Sequence, residues 1–134
     1  MTTVTNERPT GAEPLALYDA VGWTAFTRDP DTLAAAIAGS HLVLTARDTA
    51  GRLIGLARTV SDGATICYLQ DILVDSGARR SGVGWALISA VLTSYADVRQ
   101  FVLLTDADPT QRAFYRSVGL VRSYESGLHA YLRP

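Results

Sequence analysis

At 134 residues the chain fits one domain of the usual ~100–200 residue size and leaves no room for a second. With 48% apolar and 19% charged residues it holds enough material for a packed core, which excludes disorder, collagen and coiled coil. Twelve Lys plus Arg against thirteen Asp plus Glu give a formal charge of -1, so no global field draws nucleic acid or an anionic membrane, and any anion site must be local.

Residues 1 to 13 are rich in Thr, Asn, Pro and Gly and lack apolar periodicity, which predicts a poorly ordered arm or a short edge strand. Glu7, Arg8 and Pro9 stand where a signal peptide needs its apolar stretch, and no window of ~18 continuous apolar residues follows. A soluble, cytoplasmic protein without a membrane partner is therefore expected. Leu15, Leu17, Tyr18 and Val21 follow Glu13 and Pro14 at helical spacing, predicting a short helix that Gly22 ends. Asp29-Pro30 pairs an N-cap residue with proline at the first helical position and opens a second helix through Leu33, Ala34 and Ile37 to Gly39. Tyr18, Trp23 and Phe26 are expected to pack mainly in the core.

From His41 the periodicity turns to strand type: Leu42 to Leu44, then Leu53 to Val60, then Thr65 to Val74, with turns at Asp48 to Gly51 and Ser61-Asp62-Gly63. Three strands on short turns make an antiparallel meander. The lone Cys67 lies in the third run; one thiol makes neither an intrachain disulfide nor a cysteine-cluster metal site, and it suits a reducing compartment. Between Gly82 and Ala96, Val83, Leu87, Ala90, Val91 and Ser94 trace a helical stripe, and the continuously apolar Phe101 to Leu104 predicts a strand covered on both faces. Asp108 and Pro109 start a last helix, with Gln111 at the capping-box position and a stop at Gly119. Leu120 to Tyr124 and Leu128 to Leu132 are expected to form a closing hairpin. The sum is an α/β (α+β) chain, a mixed sheet with helices over a single domain, residues 1 to 134.

The chemistry concentrates between Leu73 and Gly84, where an apolar strand passes through a basic, glycine-rich turn into a helix. The first turn of a helix has N–H groups without intrahelical partners and a dipole worth about half a positive charge, so it favours anions. Gly82 and Gly84 let a phosphate approach the backbone, and Arg79 and Arg80 add charge and forked donors. A glycine pair can also serve a tight turn, and an arginine pair can be merely solvated, so this stretch alone leaves both readings open. The Walker pattern is excluded because Trp85 and Ala86 stand where it needs Lys and Ser/Thr; the dinucleotide pattern lacks its third glycine, replaced by Leu87. Trp85 is expected to pack.

What remains, Arg79-x-x-Gly82-x-Gly84 after a strand ending at Val74, together with Ala113-Phe114-Tyr115-Arg116-Ser117-Val118-Gly119-Leu120, closely resembles the GCN5-related N-acetyltransferase (GNAT) superfamily. The resemblance spans about residues 14 to 132. It implies a GNAT-like acyl-CoA N-acyltransferase fold, with a central mixed sheet, an antiparallel meander, splayed parallel strands and about four helices. It implies acetyl-CoA as cosubstrate, without a metal, in the gap between the strands ending at Val74 and Leu104. Main chain at Ile72, Leu73 and Val74 would pair with pantetheine, and the N–H groups of Arg79, Arg80, Ser81, Gly82, Val83 and Gly84 would carry the pyrophosphate. The acetyl group would pass directly to an amine of a small molecule or protein, with Tyr115 protonating the departing thiolate.

An alkyl amine with a pKa near 10.4 costs about 4.6 kcal/mol to deprotonate at pH 7, so a proton acceptor or desolvation is needed. The resemblance points to Asp71, on the strand before the pyrophosphate loop, as the acceptor; because Tyr68 stands where many family members carry glutamate, a water relay through Asp71 or Tyr68 is also open, and Asp71 can equally be a strand-end carboxylate that only makes hydrogen bonds. Asp108 stands where asparagine is common; Asp-Pro is also an ordinary helix start, the favoured reading here. His41 and His129 are isolated and suggest no metal site. The resemblance allows a homodimer through the last strands. Two other function classes stay open: a catalytically silent acyl-CoA sensor, and a nucleic-acid adaptor suggested only by Arg79-Arg80, which the balanced charge opposes.

Overall fold

Alternating apolar residues and tight turns produce one five-stranded sheet in chain order, β1 (Thr3–Asn6), β2 (Val43–Arg47), β3 (Leu53–Ser61), β4 (Ile66–Val74) and β5 (Gln100–Leu103). The first four pair antiparallel; β4 and β5 pair parallel. The computed structural model describes Thr3 to Pro134 and divides into two units, one ending at Leu104 and one running from Thr105 to Pro134. In the first unit the N-terminal arm is the edge strand, fastened to β2 by Arg47, whose Nε meets Glu7 Oε1 at 2.8 Å and whose Nη2 meets Glu13 Oε1 at 2.9 Å.

One sheet face is covered by α1 (Ala12–Ala20), α2 (Thr24–Thr27) and α3 (Pro30–Gly39), around Leu17, Tyr18, Leu33, Ile37, Val43, Leu56 and Leu73. Asp29 caps α3 as expected, accepting from the Thr32 N–H at 3.2 Å. The single turn α2 escapes the sequence pattern because four residues are too few to display a period. The other face carries α4 (Val83–Ser94), whose Val83, Leu87, Ile88 and Val91 are buried. Gly55 on β3 is the reason α4 sits so close: a Cβ there would lie 2.9 Å from Val83 Cγ1 and 3.0 Å from Leu87 Cδ1. Cys67 on β4 is fully buried, and burial pushes its thiol up to about 11.

Two expectations are corrected. Strand β5 is only half-buried, with Leu104 beyond it 46% exposed, because it forms an edge of the sheet rather than an inner strand. The closing hairpin is absent: no strand forms among the described residues after β5. Local bonding wins in the second unit. Here α5 (Pro109–Ser117) ends in a Schellman turn, Leu120 N–H to Tyr115 O at 3.1 Å and Gly119 N–H to Arg116 O at 3.0 Å. Residues Ser123–Ser126 then wind into a 3-10 turn, with Glu125 accepting from the Arg122 N–H at 3.0 Å and pairing with Arg116 at 2.7 Å. Side-chain bonds of this kind offer the backbone an alternative to a ladder. No helix among the described residues is long and apolar enough to cross a membrane.

Candidate active site

The parallel ladder between β4 and β5 runs only from Ile66↔Gln100 to Leu69↔Leu103. On its other side β4 stays paired with β3 as far as Gly55↔Val74, so among the described residues the main-chain edge of Ile72, Leu73 and Val74 has no strand neighbour toward β5. The fork has a local cause. The β3/β4 register jumps from Thr59↔Leu69 to Arg58↔Asp71, leaving Gln70 as the extra residue of a bulge, and a bulge bends and twists its strand. It also switches faces: Leu69 lies opposite Thr59, whose hydroxyl meets Tyr95 at the end of α4, whereas Asp71 meets Tyr18 of α1. Sequence alternation alone carries no sign of this jump.

Beyond Val74 the chain is pinned by Asp75, which accepts from the Gly77 N–H at 3.1 Å and from Arg52 Nη1 at 2.7 Å. The Arg52 bond, then the Gly77 amide, hold its carboxyl below the usual carboxylate range. Arg79 and Arg80 are exposed, Arg80 has a left-handed backbone with φ +66°, and Gly82 caps α4 with φ +86°. A Cβ on Gly82 would meet nothing within 4 Å, so glycine serves its backbone angle and an open approach. Ser81 Oγ donates to Ala78 O. The first main-chain bond of α4 is Ala86 N–H to Gly82 O at 2.9 Å; the N–H groups from Arg80 to Trp85 make no hydrogen bond among the described residues. Trp85 does not pack as expected: it is 58% exposed in this first turn, on the side of α4 away from the buried Val83 and Leu87.

Asp71 and Arg58 face each other across β3 and β4 just past the fork, both nearly buried, with Arg58 Nε 2.5 Å from Asp71 Oδ2. The same oxygen accepts the Tyr18 hydroxyl at 2.9 Å; burial, and then the Asp71 charge, push that phenol far above its ordinary value. Direct proton abstraction by Asp71 Oδ2 would first require this pairing to open. Arg58 is the residue that sequence reasoning missed; its pairing with Asp71 follows from the register set at the bulge.

Residues 14–132 match the acetyltransferase (GNAT) domain family. This chain belongs to the GNAT acetyltransferase family. Among relatives of known sequence, the GNAT chain is 35% identical over 116 residues to histone acetyltransferase TAP1 of Glycine max, covering 78% of this chain and 48% of that protein. It is 34% identical over 110 residues to the probable acetyltransferase TAP2 of the same plant, covering 73% and 43%. The chain thus spans about half the length of these curated relatives or less. Among solved structures it is similar to the GNAT family acetyltransferase SP0256 from Streptococcus pneumoniae TIGR4, at TM-score 0.88 and 27% identity over 100% of this chain and 98% of that one.

In the second unit of this GNAT chain, Tyr115 lies on α5, half-buried, with its ring edge-on to Phe114 at 5.0 Å. Burial raises its phenol above the ordinary value, and a Thr105 hydrogen bond partly offsets this. Asp108 behaves as a helix cap, accepting from the Thr110 N–H at 2.8 Å. Among the described residues no cluster of three His, Cys, Asp or Glu side chains is placed to hold a metal ion; His41 Nδ1 instead meets the Tyr95 hydroxyl at 2.6 Å.

Proposed function

We propose that this GNAT chain, folded as one domain, transfers the acetyl group of acetyl-CoA to a primary amine of a small molecule or protein. The observation that carries the reading is the run of unengaged N–H groups from Arg80 to Trp85 at the start of α4, next along the chain to the unpaired edge Ile72–Val74. Donors already oriented in the folded chain bind a diphosphate without reorganising. In this reading Arg79 and Arg80 reinforce the charge, Ser81, Gly82, Val83 and Gly84 offer amides, and main chain at Ile72, Leu73 and Val74 holds the pantetheine arm. When bound, acetyl-CoA supplies the activated thioester.

Tyr115 is assigned the donor role toward the departing sulfur, because a phenol above its ordinary value keeps its proton at neutral pH. Asp71 is assigned the acceptor role through an intervening water at Oδ1, which takes no hydrogen bond from the described residues. A cytoplasmic setting accords with the lone buried thiol. Gly82→Glu places bulk and negative charge among the amides and is expected to abolish coenzyme A binding by calorimetry; normal affinity in that variant overturns the placement. A second reading, a coenzyme-binding module without turnover, draws on the engagement of Asp71 by Arg58 and Tyr18. Release of thiol from acetyl-CoA across a panel of amines separates the two, since the module releases none.

A further inference from the structure

Arg58 is a charged side chain that the proposed transfer does not use. It lines a cleft of about 320 Å3 together with Phe26 of α2 and Leu33 and Ala36 of α3. Its Nε is committed to Asp71 at 2.5 Å and Nη1 reaches Ser40 Oγ at 3.4 Å, while Nη2 has no partner among the described residues. The rim carries Asp29, whose two oxygens already accept the Thr32 N–H at 3.2 Å and the Thr32 hydroxyl at 2.7 Å. Asp71 fixes the guanidinium of a residue that lines an apolar-walled cavity, and its Nη2 donors stay uncommitted. The free end of such a fork complements a planar carboxylate or a phosphate, and the apolar walls favour the singly charged carboxylate over the more strongly hydrated phosphate. The position along the sheet adds the second half: Arg58 is paired with Asp71, two residues beyond Leu69, where β4 and β5 part company.

We infer that this cleft binds the carboxylate of the acceptor, so that the amine substrate is an amino acid or another amine bearing a carboxylate, with Arg58 as the specificity-determining residue. The inference rests on the acetyltransferase reading for the reaction, though not for the binding site. A carboxylate seated on Arg58 keeps the acceptor's amine on the side of the sheet where Asp71 lies, and the apolar walls take the aliphatic or aromatic body of the molecule.

The test compares amines that differ only in the carboxylate, 4-aminobutyrate against propylamine and phenylalanine against phenethylamine. The carboxylate-bearing member of at least one pair should show a kcat/KM at least tenfold higher, expressed chiefly in KM. That ratio should fall toward one in Arg58→Lys, which keeps a cation beside Asp71 but loses the fork, and in Ala36→Leu, which narrows the cleft without touching the guanidinium. Both variants should keep coenzyme A affinity. Equal or lower rates for the carboxylate members of both pairs, or a preference that survives both substitutions, overturn the inference. To separate this from failure of the transfer reading, the cleft is also titrated without coenzyme in the Trp85→Phe protein, where Trp23, 6.1 Å from Phe26, is the only remaining indole. Saturable quenching by N-acetylphenylalanine but not by its methylamide supports the carboxylate site even if no turnover is seen, and absence of quenching by both refutes it.

Discussion

Arg58, Asp71 and Tyr18 show how far a buried charge depends on its partner. Removing Arg58 as Arg58→Ala strands an uncompensated carboxylate at a residue only 4% exposed, and breaking such a pair costs about 3–5 kcal/mol, which urea denaturation should read as a lower midpoint. Asp71 was legible in the sequence as a carboxylate near the strand end; Arg58 was not, since nothing in its neighbourhood distinguishes it from a solvated strand arginine. Tyr115 belongs to the same scale. Tyr115→Phe is expected to lower turnover by ~10²–10⁴ while leaving coenzyme affinity nearly unchanged. Because burial raises this phenol, any alkaline loss of kcat that Tyr115 causes should set in at higher pH than for an ordinary phenol, and the Tyr115→Phe protein should lack it. Unchanged turnover in the phenylalanine variant removes the residue from the chemistry. Trp85 offers a direct reporter: coenzyme A binding should alter its fluorescence, and Trp85→Phe should abolish that signal.

Among the elements, those announced by local chemistry were readable and those set by distant packing were not. Asp29-Pro30 and Asp108-Pro109 marked helix starts because the side-chain cap and the fixed proline φ act within one turn. The Asp62 turn between β3 and β4 was equally plain: Asp62 accepts from the amides of Ala64 and Thr65 at 2.9 and 2.8 Å. The Gln70 bulge, the half-covered β5 and the 3-10 turn replacing the expected hairpin were not readable, since each depends on which other segment competes for the same backbone. Seating of α4 on β3 is a testable case. Gly55→Ala drives a methyl against Val83 and Leu87 and should cost about 1–3 kcal/mol. It should also weaken coenzyme A binding by displacing the first turn of α4, and Val83→Ala in the same chain should restore much of both. Unaltered stability and affinity in Gly55→Ala would show that α4 tolerates the shift.

For the whole molecule, charge pairing contributes to stability in acid. Arg47 hydrogen bonds hold Glu7 and Glu13 below the ordinary carboxylate range, so this contribution is present above the unfolded-state values and lost as pH falls through the lower folded ones. The melting temperature should therefore drop as pH falls below the ordinary glutamate range, and less steeply in Arg47→Met, where both carboxylates return toward ordinary values. Equal slopes in the two proteins would assign the acid loss elsewhere. The single-domain proposal predicts one calorimetric transition whose van't Hoff and calorimetric enthalpies agree, whereas two resolved transitions would overturn it.

Cys67 makes these measurements simpler. With its sulfur enclosed and its thiol held up at about 11, the protein contributes almost no thiolate at neutral pH. An aromatic disulfide dye added to the native protein should therefore stay colourless until coenzyme is set free, and each turnover can be followed continuously with no blocking of the polypeptide beforehand.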